Sequence, residues 1–303
     1  MRHRPRFPAA VLSTAFTSLV LAAPVLAQES PAAPTACPSS AANRVNGTAQ
    51  NDVLVGTTAA DAVTALGGDD SVSAFTGNDC VFGGAGFDVL AGGQGSDLLL
   101  GQDGPDDLSG SDGNDELWGG ADFDFLSGGL GRDELDGGDG PDDVSGGRGA
   151  DRLRGGEGVD FLSGGLGVDV IQGQDGDDEI SGGSDDDRLS GGEGADLVNG
   201  GLGDDVMTGD DGNDRLIGGP GVNQYLSGAG NDEVDAANGE RETRINCGDG
   251  RRDVVRADAS DSVRSNCEVV FRLRRADSLG RGARRPRARR AGQVRPRTRG
   301  SRR

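Results

Sequence analysis

The chain has 303 residues, of which 56 are glycine and 4% aromatic, a composition too poor in large apolar side chains to build an ordinary packed core. Its formal charge of −21 conceals a sharp partition: residues 28–271 hold 50 of the 51 acids with 13 arginines, whereas residues 272–303 hold 14 arginines and one acid, Asp277. Something other than apolar burial must hold so acidic and glycine-rich a body together.

Residues 1–27 combine a basic start (Arg2, Arg4, Arg6), an apolar stretch from Phe7 to Leu26 and the small-residue pattern Val25-Leu26-Ala27. That is the arrangement of a cleaved signal peptide. Pro8 and Pro24 confine the apolar run to about 15 residues, short of the ~20 a spanning helix needs. The mature chain is therefore expected to begin at Gln28, outside the membrane, with residues 28–55 as an N-terminal segment leading into the acidic body. Cys37, Cys80, Cys247 and Cys267 suit an oxidising compartment and allow three pairings. The single histidine, His3, leaves with the leader, which removes Ser-His-Asp, Cys-His and H-E-x-x-H chemistry together. No space remains for a catalytic domain, so the chain is not expected to be an enzyme.

From Gly56 to Asp235 a register of nine never slips. The sixth position of each unit is aspartate in 19 of 20 places, from Asp61 and Asp70 to Asp232, with Asn223 the exception; the eighth is apolar or aromatic in all 20, from Val63 to Val234. A slower period of 36 lies on top, since Gly128-Gly129-Leu130-Gly131 recurs at Gly164 and Gly200. Blocks of four units were copied, and 36 residues are two whole coils if one coil takes 18. Such an array is a solenoid in which each coil contacts only its neighbours.

Gly83-Gly84-Ala85-Gly86-Phe87-Asp88-Val89-Leu90-Ala91 and Gly155-Gly156-Glu157-Gly158-Val159-Asp160-Phe161-Leu162-Ser163 resemble the repeats-in-toxin (RTX) nonapeptide, a calcium-binding β-helix repeat. The resemblance implies an all-β fold, a right-handed parallel β-roll with 18 residues per coil. In it the first six residues of a unit turn, the last three form a short strand, and successive units fall on opposite sides. It further implies several calcium ions between neighbouring turns, held by backbone carbonyls and sixth-position aspartates. In this chain those are Asp79, Asp88, Asp97, Asp106, Asp115, Asp124, Asp133, Asp142, Asp151, Asp160, Asp169, Asp178, Asp187, Asp196, Asp205 and Asp214. The opening units at Asp61 and Asp70 lack the double glycine, Asp122 and Asp185 replace the fourth glycine, and Pro220 and Asn223 weaken the last full unit. Regular sites are not expected around Asp61 and Asp70.

The chemistry agrees with the resemblance. Glycine at positions one, two and four frees the backbone for positive φ and lets carbonyls face a common point. Calcium takes six to eight oxygens, so a carbonyl-rich turn with one carboxylate is half a site and two stacked turns complete it. Strand alternation sends positions six and eight inward and seven and nine to water. Residues 56–235 carry 41 acids and 6 arginines, and on the order of 16 bound calcium ions would nearly neutralise them.

Residues 236–271 lose the nonapeptide and look like the cysteine-bearing C-terminal cap of some secreted relatives. That resemblance implies a Cys247–Cys267 disulfide, and by elimination a Cys37–Cys80 pair. On one outer face a stripe of Ser109, Ser127, Ser145, Ser163 and Ser181 at position nine runs beside Phe125 and Phe161 at position seven. It is either a plain solvated face or a contact for glycan or protein. No threonine ladder marks an ice-binding face. The Arg-rich tail, residues 272–303, reads as disordered. It is either a plain solvated extension or a contact for an anionic cell-envelope polymer, an acidic roll or, least favoured, nucleic acid. The expectation overall is a secreted calcium-binding protein with a structural or cell-surface role, the alternative being a calcium-dependent adhesin-like module.

Overall fold

Apolar residues at every eighth position, each flanked by two residues free to face outward, dictate short strands joined by tight turns. The computed structural model describes residues 33, 34, 37, 43–242, 244–250 and 252–273. The expected signal peptide (1–27), part of the lead-in segment and the tail beyond Leu273 lie outside the described residues. Those from Asn43 onward form an all-β parallel solenoid of about 13 turns, 18 residues per coil. A first sheet of 12 strands begins at Asn43–Asn46 and a second sheet of 13 strands at Val53–Val55. As far as Val254–Asp258 consecutive strands alternate between sheets, so each pairs in parallel with its equivalents one coil away, while the last strand, Val269–Leu273, pairs directly with Val254–Asp258 in the second sheet. Leu135 stands opposite Leu117 and Leu153 in the first sheet, and Leu126 opposite Leu108 and Val144 in the second. No helix among the described residues is long and apolar enough to cross a membrane.

Position eight supplies the core, one side chain per nine residues from each sheet in turn. Leu99, Leu108, Leu117, Leu135, Val144, Ile171 and Ile180 are all completely buried, and a single cluster runs from Val63 to Ala257. A core one side chain deep buries little apolar surface per residue, so the backbone of the turns must be held by other means.

Strands are longer than the expected three residues. Phe161–Leu166 is typical: it runs from position seven through position three of the next unit. The ladder skips Gly164 and resumes at Gly165, which pairs with Gly147 because its φ of +108° returns its hydrogen-bonding groups to the rung.

Glycines at the three turn positions do different jobs, which corrects the expectation that all adopt positive φ. Positions two and four do, as at Gly147 (φ +103°) and Gly149 (φ +148°). Position one does not. A Cβ at Gly155 would instead press on Asp160 Oδ2 and lie 2.7 Å from the Gly173 carbonyl oxygen, so that glycine is bare to make room for the sixth-position carboxylate. At position four the neighbouring coil is the obstacle: a Cβ on Gly149 would fall 2.5 Å from the Gly131 carbonyl carbon. Asp122 and Asp185 occupy the same position only by turning to φ of 78° and 82°, a region that aspartate tolerates and β-branched residues do not. Gly149→Val is therefore expected to lower stability by about 3 kcal/mol or more, read from chemical denaturation in saturating calcium.

The outward positions also depart from expectation on one side. In the second sheet Phe125 and Phe161 at position seven are 47% and 51% exposed, and Ser127 and Ser163 at position nine are open to solvent. In the first sheet, by contrast, position nine is covered: Phe82, Leu100 and Trp118 are buried, as are Asp136 and Arg154. Ala33, Pro34 and Cys37 line a groove over Phe82, Leu100 and Trp118, brought there by the Cys37–Cys80 disulfide (Cα–Cα 5.7 Å). Arg154 is paired with Glu134 at 3.0 Å and lies 3.7 Å from Asp136.

At the far end Arg244–Asn246, Val254–Asp258 and Val269–Leu273 continue the two sheets. The Cys247–Cys267 disulfide (Cα–Cα 5.2 Å) closes a 20-residue span there. The last strand passes residue 271, and Arg272 donates to the Asp258 and Asp261 carbonyl oxygens, so the start of the expected tail is part of the cap.

Candidate metal centre

Each turn delivers its aspartate to the same place because the unit is the same length every time. The sixth-position side chain turns inward at the junction of turn and strand, and its Oδ1 accepts the backbone N–H of the aspartate one coil earlier. Asp142 N donates to Asp160 Oδ1 at 2.8 Å, and Asp160 N to Asp178 Oδ1 at 2.9 Å. The same bond runs down both sides of the solenoid, through Asp61, Asp79, Asp97 and Asp115 on one and Asp70, Asp88, Asp106 and Asp124 on the other. Two files of carboxylates result, one at each edge of the core.

The second oxygen is the informative one. Oδ2 is buried and has no hydrogen-bond partner at every sixth-position aspartate from Asp70 to Asp214, which includes all 16 residues singled out from the sequence. Buried carboxylate oxygens without donors cost too much to be left so in a repeated structure. From Asp88 to Asp214 each Oδ2 lies over the position-one glycine of its own unit, and in most of these units a position-one carbonyl of the next coil borders the same space, as Gly173 O does beside Asp160 Oδ2 at Gly155. The donor set is all oxygen, carboxylate and carbonyl, with neither imidazole nor thiolate, which fits a hard cation of variable coordination such as calcium. No cluster of three or more His, Cys, Asp or Glu converges among the described residues; carbonyls from two turns must complete each site.

The opening units divide. Asp61 Oδ2 accepts from Thr57 N and Thr57 Oγ1, so in its turn protein donors already serve that oxygen. Asp70 Oδ2 is as unpartnered as its successors, which sets that unit with the regular ones. At the other end the first-sheet file does not stop at Asn223: Asn223 N donates to Glu242 Oε2, and Glu242 N to Asp261 Oδ1 at 3.3 Å. Sequence reasoning missed Glu242 and Asp261 because the spacing widens to 19 residues and the register of nine no longer finds them.

Burial raises the carboxyl pKa values along the files, the like charges of neighbouring aspartates add to it, and the backbone N–H on Oδ1 opposes it. Asp106, Asp142 and Asp178 rise to about 7 and Asp124 to about 8. A folded-state pKa above the unfolded one stabilises the metal-free roll below about pH 4, and that stability is lost as pH rises through about 6–8. In chelator, β structure is therefore expected to grow on acidification and vanish toward neutral pH. In calcium the trend reverses, since the cation competes with these protons. Circular dichroism across pH 3–9 with and without calcium reads both, and a chelated chain gaining structure as pH rises would contradict it.

No curated protein matches the chain. The family described as RTX calcium-binding nonapeptide repeat (4 copies) matches it in nine overlapping stretches, from residues 39–72 to 199–234. Repeats of this kind bind multiple calcium ions. Fold, spacing and donor set agree with that match across most of the described residues, and the chain belongs to the RTX calcium-binding nonapeptide-repeat family.

Proposed function

We propose that this is an extracellular calcium-dependent structural protein whose roll assembles when the secreted chain meets calcium. The observation that carries it is the double file of buried Oδ2 oxygens without donors, most of them beside a backbone carbonyl of the next coil. Asp79 through Asp214 at intervals of nine are the proposed ligands, with carbonyls of the glycine turns completing each shell. Bound calcium supplies charge neutralisation and cross-links neighbouring coils. The aspartates contribute Oδ2 to the ion while Oδ1 keeps the preceding coil in register. Two disulfides and the leader pattern of residues 1–27 support export to an oxidising compartment. The Arg-rich residues beyond the cap are proposed to contact anionic cell-envelope polymer, and no catalytic role is assigned.

A second reading, an adhesin-like module, is favoured by one observation. The outer face of the second sheet leaves Phe125 and Phe161 half exposed, with exposed serines beside them, whereas on the first sheet the large apolar residues Phe82, Leu100 and Trp118 are buried. Probing a glycan array with the calcium-loaded chain decides between them. The structural role predicts an unlabelled array; saturable, calcium-dependent binding lost in Phe161→Ser would establish the adhesin.

A further inference from the structure

We infer that the cap holds a calcium site of its own, outside the recognised repeats, between the turn ending in Asp232 and the turn ending in Asp253. This rests on the calcium reading proposed for the array. The family match ends at residue 234 and the register of nine ends with it, yet Cys247-Gly248-Asp249-Gly250-Arg251-Arg252-Asp253-Val254-Val255 is the same turn with one extra residue between its fourth and sixth positions.

The structure treats it as such. Gly248 has the positive φ (63°) of a position-two glycine, and a Cβ there would lie 2.5 Å from the Gly228 carbonyl carbon, the stacking seen between regular coils. Asp249 N donates to Gly228 O at 2.9 Å and Val254 N to Asp232 O at 2.7 Å. These match Ala229 N to Asp210 O and Val206 N to Asp187 O in the array. Asp232 N donates to Asp253 Oδ1 at 3.2 Å, so the second-sheet file runs on across a gap of 21 residues. Asp253 is completely buried and its Oδ2 has no partner; the Asp232 carboxyl is buried as well, with the Ser227 hydroxyl within hydrogen-bonding reach of it.

The first-sheet side shows what a turn closed without metal looks like. At Asn223 the carboxylate is replaced by an amide whose Nδ2 donates to the Gly219 carbonyl at 3.3 Å. A Cβ at Gly218 would fall 2.5 Å from that nitrogen and against the Tyr225 hydroxyl. Protein groups fill that turn, and a donor stands where a cation would need an acceptor. At Asp253 no donor reaches Oδ2, and the Asp232 carboxyl of the preceding coil is near enough to feel its charge. A divalent cation with oxygen preference answers that arrangement.

Crystals of the full chain grown in calcium, with anomalous scattering recorded for the ion, test the site without altering it. Peaks along the array, one between Asp232 and Asp253 and none at Asn223 are expected. Peaks along the array with none at Asp253 overturn the cap site alone, and no peaks anywhere overturn the calcium reading on which it rests. Independently, Asp253→Asn recreates the amide found at Asn223 and should bind one calcium fewer per chain by elemental analysis, with its dichroism intact in saturating calcium. An unchanged count would overturn the assignment.

Discussion

Removing calcium at neutral pH is expected to abolish the β signal of this protein, converting the roll to a largely disordered chain, and adding it back to restore the signal cooperatively. Residues 18 apart in sequence stand about 4.8 Å apart in a sheet. Ionised aspartates at that spacing repel by ~1 kcal/mol in water and ~3.5 kcal/mol at an effective dielectric of 20. Each file repeats that repulsion coil after coil, and each Oδ2 adds the cost of a buried acceptor without a donor, about 1–3 kcal/mol. The thin core of Leu, Val and Ile does not offset these terms. Calcium removes both at once, by giving every Oδ2 a ligand and neutralising neighbours in pairs. The midpoint is expected at about 10⁻⁴–10⁻³ M, the range of extracellular modules, and magnesium should fail because it holds its water and demands tight octahedral geometry. Circular dichroism during titration checks this, and a β spectrum unchanged in excess chelator would contradict it.

Much of this was legible because the repeat is strict. A residue that is apolar at every eighth position and acidic at every sixth has one consistent solution, two parallel sheets with carboxylate files at their edges, and Leu135 and Asp160 lie where that solution puts them. What escaped did so for physical reasons. The identity of a glycine does not say why it is needed, so Gly155, bare for a carboxylate, read like Gly156, bare for its dihedral angle. A strand's period tells which way Trp118 points but not what crosses the sheet above it, and its burial beside Cys37 depends on a segment far away in sequence. Asp253 was hidden because the coil leading to it is longer than 18 residues, 21 separating it from Asp232, and hydrogen bonding between coils tolerates bulges that a fixed register does not.

Lesions within the files should have effects that depend on position. Asp160→Ala removes the acceptor of Asp142 N and an unpartnered Oδ2 from the middle of the array. It is expected to weaken the sites shared with the coils above and below, and because each coil touches only its neighbours, the roll should divide there. Asp151→Ala, in the adjacent unit on the opposite side, should do the same, since it removes the acceptor of Asp133 N. Asp61→Ala loses only the bonds to Thr57, about 1 kcal/mol, and no ion. The most direct test is bound calcium per chain at saturation for Asp61→Ala and Asp160→Ala. At least one ion fewer in Asp160→Ala with an unchanged count in Asp61→Ala is the predicted result. Equal losses, or a conserved total with only a shifted midpoint, would contradict ordered sites and leave a polyanion that binds calcium diffusely.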